Sequence, residues 1–505
     1  MHCVKIGWSK KEISTQEATS LPGQMYLRIS EGVHDPLYAT VLCVDGGEGQ
    51  DCLFFCTCDV VVLRGGVIEQ TRKKVAAIRP EIPVENILMG ATHTHAGGCT
   101  TDTPETSPDG SPIFPGAKYR EFFTDQCAAA IVEAWDTRKE GAIGYGYGFA
   151  VVGHSRRTIY LNDQGVANPA AVAPNGHGVM YGNTAKDDFS HYEAGTDPYL
   201  NLMFTFDAQH KLTGIVANVP CPSQLSEHFR KMSADFWNEV RQLVAKEYGE
   251  NVYVLPQCAA AGDLSPRTLH YKQAQIRRME LKYGLTYDLS KVREHGIDEY
   301  NKVMSERYDI AERIMDGIRD VYSWARKDIR SDVTVRHIVK QVPLSRRLVS
   351  DTEKTECEDN IEKMRALIPD PAASTPEEYR VAMSHYESIK NRNARAIERW
   401  KSRNEDTTMD MELHVARIGD ISFATNRFEL YMDYMHRIQA RSPFIQTFVI
   451  QLAGDEGGSY LATQRGAANK GYSASLFCNQ VSYEGGQELV EHTLDLLHKL
   501  CETEQ

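Results

Sequence analysis

A chain of 505 residues exceeds what one compact core usually holds, so two domains, or one large domain carrying an insertion, is the expectation. Composition is that of a globular protein, with 42% hydrophobic, 25% charged and 9% aromatic residues, and no apolar run approaches the roughly 18 residues a bilayer helix needs. A formal net charge of −13 argues against a phosphate-tracking nucleic-acid binder, whose affinity rests on clustered Lys and Arg.

The opening MHCVKIGWSKKEIS lacks a basic stretch followed by an apolar core, so no secretory leader is expected in it, although a removed one would leave no trace. Twelve cysteines lie scattered from Cys3 to Cys501 without regular spacing. We read them as reduced and mostly buried in a cytoplasm-like compartment, with the CTC pair, Cys56 and Cys58, on opposite faces of a strand.

In chain order, residues 37–63 read as two apolar strands around a Gly-rich turn, followed by a helix near Ile68 to Ile78 that Pro80 ends. ENILMGATHTH is a short strand delivering His93 and His95 to a loop, and residues 119–139 form an amphipathic helix. GYGYGFAVVG (144–153) is β-like, its glycines are spaced by two and no helix follows, so it is not a dinucleotide fingerprint. Residues 201–222 read as a hairpin running into Cys221. Ser233 is the expected N-cap of a helix reaching Tyr248, with Gly249 as its C′ residue. NVYVLPQCAAAGDLSP is a strand ending in a Gly-Asp turn, where Asp263 is a turn former or a supporting hydrogen-bond acceptor.

From about 268 to 408 the texture becomes rich in Arg, Lys and Glu with helical periodicity, and 333–344 is its one clear strand. This predicts a mainly helical insertion, a lid over the pocket or an oligomer interface, within a catalytic domain made of 1–267 and 409–505. Strand texture returns at 413–425 and 444–454, Glu429 falls on an expected helical stretch, and an amphipathic helix closes the chain. Strand and helix alternate, so the class is α/β, with mixed β-sheets flanked by helices and the site on loops at strand ends.

On an extended segment the HxH imidazoles share a face, where they can share a metal or divide metal binding from proton transfer. Alone, the pair is equally a polar loop. Its surroundings add a family likeness. ATHTHAGG resembles the HTHSGPGG signature of the neutral, non-lysosomal ceramidases, and five further stretches resemble that family in order: KIGWSKKEIS with GQMYLR, FCTCDVVVL, AAAGDLSPR, ARIGDISFATNRFELY and GGSYLATQRGAANKGYSA.

The resemblance implies a zinc site in which His93, Glu429 and Tyr460 are ligands, His95 contacts substrate or water, and Tyr472, twelve residues after Tyr460, steadies the reacting group. It also implies an arginine at Arg156, with Arg157 as the register alternative. The family's second zinc histidine is replaced here by Cys221, a competent zinc ligand as thiolate. His228 or no metal at all are the alternatives.

The expected function is that of a zinc-dependent (Zn2+) hydrolase cleaving an amide or related acyl bond, with His95 relaying the proton and Tyr472 and Arg156 donating to the oxyanion. The ligand change and the absence of room for the family's C-terminal immunoglobulin-like domain point to a soluble, bacterial, cytoplasmic relative acting on a small polar molecule, carbohydrate-derived ones included, as a monomer or homo-oligomer. A lyase or isomerase using the same His, Tyr and Arg groups, and a non-catalytic binding protein on the same scaffold, are the competing readings.

Overall fold

The fold begins where the apolar strands predict it. In the computed structural model, which describes residues 3–166, 168–284 and 297–502, β1 (Lys5–Glu12), β2 (Tyr38–Asp45) and β3 (Cys52–Cys58) are adjacent antiparallel strands. Strand side chains alternate between faces. Hence Phe54, Cys56 and Cys58 of β3 enter one core while Leu53 and Phe55 enter another. The expectation that Cys56 and Cys58 point to opposite faces is thereby corrected: residues two apart share a face, and the two sulfurs lie 3.9 Å apart. All twelve cysteines are free thiols, and all but Cys3 and Cys501 are buried.

With β4 (Ile87–Ala91), β5 (Lys139–Phe149), β6 (Tyr199–Asp207), β7 (Leu212–Val219) and β8 (Tyr253–Cys258), these strands build an eight-stranded sheet in the order β8-β7-β6-β5-β1-β2-β3-β4. It is mixed, β3 with β4 and β7 with β8 being parallel and the remaining pairs antiparallel.

One face of this sheet is covered by α1 (Val67–Ile78), α2 (Gly116–Asp136), α3 (Phe236–Tyr248) and, beyond α4 (Lys272–Tyr283), α5 (Ile297–Ala325). The N-cap of α3 is Asp235, not Ser233 as predicted. Ser233 Oγ instead donates to Asp35 Oδ2 at 2.6 Å and accepts from Arg307 at 3.0 Å.

The other face packs on a second sheet of β9 (Val335–Ser345), β10 (Thr408–Ile418), β11 (Ile421–Thr425) and β12 (Gln446–Ile450), in that order. Trp8, Leu42 and Phe55 meet Ile418, Phe423 and Phe448 in this interior, the Phe423 ring lying 4.8 Å from Phe55 and 4.6 Å from Phe448.

Between β9 and β10 lie α6 (Asp351–Met364) and α7 (Pro376–Ser402), each opened by a capping box, Ser350 with Glu353 and Thr375 with Glu378. The outer face of the small sheet is closed by α8 (Met432–Arg441) and α10 (Tyr483–Glu502), with the short α9 (Gln464–Asn469) between them in sequence. The architecture is therefore four layers: helices, sheet, sheet, helices.

The stretch 268–408 is helical apart from β9, and its residues 285–296 lie outside the described ones. β9 pairs with β10 along its whole length, from Val335 opposite Ile418 to Ser345 opposite Thr408. α5 adds Ile310, Ile314, Ile318 and Val321 to the core beneath β5, β6 and β7. Among the described residues no helix is long and apolar enough to cross a membrane.

Candidate active site

The two histidines meet by a turn and not by strand alternation, which corrects the expectation. β4 ends at Ala91, and His93 adopts a φ of 63°, a left-handed conformation that a branched-free but bulky side chain rarely takes. Such strain, on the order of 1–3 kcal/mol, persists only where the surroundings impose it and concentrates at functional sites. Here His93 Nδ1–H donates to the Val61 carbonyl at 2.7 Å, so Nε2 carries the free lone pair. That Nε2 lies 3.3 Å from His95 Nε2 and 3.5 Å from Glu429 Oε2.

Glu429 is not helical, as its neighbours predicted. Glu429–Leu430 is a two-residue parallel bridge with Tyr460–Leu461, Glu429 standing opposite Tyr460. Opposed residues on one face are near neighbours, which is how segments thirty residues apart in sequence deliver a carboxylate and a phenol together. Burial favours protonation of Glu429, but His93, Arg156 and Tyr460 outweigh it and hold the carboxyl below the usual range.

Arg156 Nη2 donates to Tyr460 Oη at 3.1 Å and to the Gly262 carbonyl at 2.9 Å, and lies 3.5 Å from Glu429 Oε2. Gly262 is required here, since a Cβ on it would fall 2.3 Å from the Glu429 carbonyl oxygen. Arg157, the register alternative, points away into a bidentate pair with Glu193 at 2.5 and 2.9 Å. Asp263 accepts the Met432 N–H at 3.1 Å behind the site, and burial pushes its carboxyl up to about 6.

His95 Nδ1 faces Glu227 Oε2 at 3.5 Å. Burial, then the positive neighbours His93, Arg28, Arg156 and Arg267, drive its pKa well below the ordinary value, so the imidazole is neutral. The Tyr472 ring stands edge-on to that of Tyr460, centroids 5.8 Å apart, and burial raises both phenols' pKa. His93, His95, Glu429, Tyr460 and Tyr472 all line one cavity of about 800 Å³.

Cys221 is not brought to this cluster, contrary to its expected place. It lies in the core with Val219, Leu225 and Phe236, its Sγ against the Pro222 carbonyl at 3.5 Å, and the ligand atoms of His93, Cys221 and Glu429 do not gather within 4.8 Å of one another. Burial first, then Cys258 and Asp235, raise its pKa and keep it a thiol. His228 does not replace it, being half exposed with Nε2 3.7 Å from Glu227. The group of His, Cys, Asp or Glu that does gather within that limit among the described residues is Cys56, Cys58 and Cys127, buried beneath α2.

Three donors nonetheless fit a divalent cation: the tautomer-fixed His93 Nε2, the Glu429 carboxylate and the Tyr460 phenol. The 3.5 Å separation of His93 Nε2 from Glu429 Oε2 matches the edge of a tetrahedron with bonds of about 2.0–2.1 Å. Sequence reasoning missed Glu227, Arg28 and Tyr181, which hold His95 and Arg156 in place, because each is an ordinary polar residue in an irregular segment.

A four-layer α/β molecule with imidazole, carboxylate, phenol and guanidinium converging at strand ends defines the class. Its fold is neutral-ceramidase-like. The chain is similar over 99% of its length to neutral ceramidase from Pseudomonas aeruginosa, with a TM-score of 0.64, 14% identity and 75% of that chain covered. It is similar over its full length to a ceramidase complexed with C2, with a TM-score of 0.62, 14% identity and 76% of that chain covered. No family profile and no curated protein matches the sequence.

Proposed function

We propose that this protein is a metal-dependent hydrolase cleaving an amide or related acyl bond of a small polar substrate, carbohydrate-derived ones included. The observation that carries the reading is the His93 imidazole, fixed by Val61 with Nε2 facing both Glu429 and His95. Likeness in fold to ceramidases supports the bond type.

His93, Glu429 and Tyr460 would hold the cation, for which Zn2+ suits the nitrogen and oxygen donors. When bound, such an ion supplies Lewis acidity and makes water acidic enough to attack at neutral pH. The neutral His95 accepts the proton of the attacking water, with Glu227 at its other nitrogen stabilising the imidazolium. Arg156 and Tyr472 donate to the oxygen that gains negative charge. Under the same reading the protein is a bacterial, cytoplasmic enzyme, and 268–408 is an insertion in a catalytic domain of 1–267 and 409–505.

Metal analysis of the purified protein and of His93→Ala tests it, alongside oxygen-18 water in the turnover assay. Zinc near one per chain, lost in His93→Ala, with label in the product, is expected. The guanidinium of Arg156 already beside Glu429 favours a second reading, metal-free proton abstraction with elimination or isomerisation. An unsaturated or unlabelled product and no bound metal would establish that instead.

A further inference from the structure

The cavity that holds the site is lined by four arginines, Arg64, Arg392, Arg395 and Arg427, against two carboxylates, Glu429 and Glu456. None of the four makes a salt bridge to a carboxylate among the described residues, in a chain with 69 acidic and 56 basic residues. Elsewhere in the chain arginines do pair with carboxylates, as Arg380 and Arg120 do at 2.8 and 2.9 Å.

Their hydrogen bonds go to main-chain atoms, to sulfur and, for Arg392, to the Tyr472 phenol. Arg64 Nε donates to the Gly457 carbonyl at 2.8 Å, Arg427 to the Glu456 carbonyl, and Arg392 to the Val172 carbonyl at 2.8 Å and Cys478 Sγ at 3.1 Å. Such bonds fix the guanidinium planes and neutralise no charge, although two carboxylates, Glu456 and Asp455, act on Arg427 through space. Arg395, three residues from Arg392 on α7 and thus on the same face, faces Arg392 and Arg64, and that repulsion adds to desolvation in lowering its pKa.

The wall is rigid. α7 is fastened to the loops that line the cavity, Ser384 Oγ accepting the Leu27 N–H at 2.9 Å and Arg399 donating to the Asn479 carbonyl at 3.0 Å. Like charges held at close range in a half-buried cavity cost stability unless an anion completes them.

We propose that Arg64, Arg395 and Arg427, with Arg392 behind them, form a subsite for an oxyanion group, a carboxylate, sulfate or phosphate, on the substrate of the neighbouring cluster. This rests on the reading of that cluster as a catalytic site. The substrate is then a small polar molecule with an acidic group at one end and the scissile bond at the other. Planar guanidinium forks suit such groups by paired charge-assisted hydrogen bonds.

The test is calorimetric titration of the full-length protein with inorganic sulfate, inorganic phosphate and acetate separately, at constant ionic strength. At least one probe should bind wild type, and Arg395→Glu and Arg64→Glu should each weaken it by about tenfold or more. Arg395→Lys should retain most of the affinity, and Lys499→Glu, the same charge change on the last turn of α10, should leave it unaltered. No binding of any probe, or equal weakening by Lys499→Glu, overturns the proposal. Metal content read on the same wild-type preparations separates the two ideas: anion binding by a wild type that holds no metal would sink the hydrolase reading and leave the subsite standing, whereas zinc near one per chain without anion binding would do the reverse.

Discussion

At the scale of single residues, the site depends on backbone contacts that leave no room for a methyl group. Gly262 lets the AGD turn approach the Glu429 carbonyl, and its own carbonyl accepts from Arg156. Gly262→Ala should therefore cost about 1–3 kcal/mol by overpacking and shift the Glu429 and Tyr460 pair. The urea midpoint, with metal content as a second readout, checks this, and an unchanged midpoint would show that the turn can relax. That His93, Glu429, Tyr460 and Arg156 lie together was legible because motif order points to them. Cys221 was misassigned because spacing along the chain carries no information on which way a thiol turns, and the core beyond β7 claims it. Arg392 and Arg395 were illegible for a different reason: on a helix rich in charge they look like any solvated face.

At the scale of elements, α5 is joined to the site's foundations by one buried guanidinium. Arg307 donates to Glu239 of α3 at 2.8 and 2.9 Å, to Ser233 at 3.0 Å and to Asp35 at 3.0 Å. Removing one partner of a buried network strands the others, so Arg307→Ala should destabilise by about 3–5 kcal/mol. Denaturant unfolding measures it, and a loss under about 1 kcal/mol would mean that water replaces the guanidinium. The strands and helices of the eight-stranded sheet were readable from periodicity. Pairing of β9 with β10 was not, because sixty-odd residues separate them and registry over that distance is set by burial of both faces.

At the scale of the whole molecule, the sheets are linked at one edge by a polar chain. His337 Nδ1 bonds Asn86 Oδ1 at 2.8 Å, His337 Nε2 lies 3.0 Å from His414 Nδ1, and His414 Nε2 bonds Glu412 at 2.8 Å. Burial, with His414 and Arg72, brings the His337 pKa down to about 3 from 6.5. The unfolded chain thus binds a proton that the folded one refuses, and this stability is complete above pH 6.5 and drains away as pH falls toward about 3. Asp263, raised from 3.8 to about 6, acts in the opposite sense, disfavouring the fold as pH climbs through that interval. Urea midpoints at pH 7 and pH 5 should fall on acidification in wild type and fall less in His337→Gln. An identical drop in both would remove His337 from the account.

Because one side of the chamber is α7, backed by α6 and clasped to the cavity loops through side chains, it behaves as an exchangeable cheek. A chain carrying a different face on residues 376–402 would meet another class of molecule, while the imidazole pair at the end of β4, seated in a separate core, would keep its alignment. On the proposed subsite, α7 would carry the part of selectivity that lies in Arg392 and Arg395, whereas Arg64 and Arg427 stand on the same loops as the reacting groups.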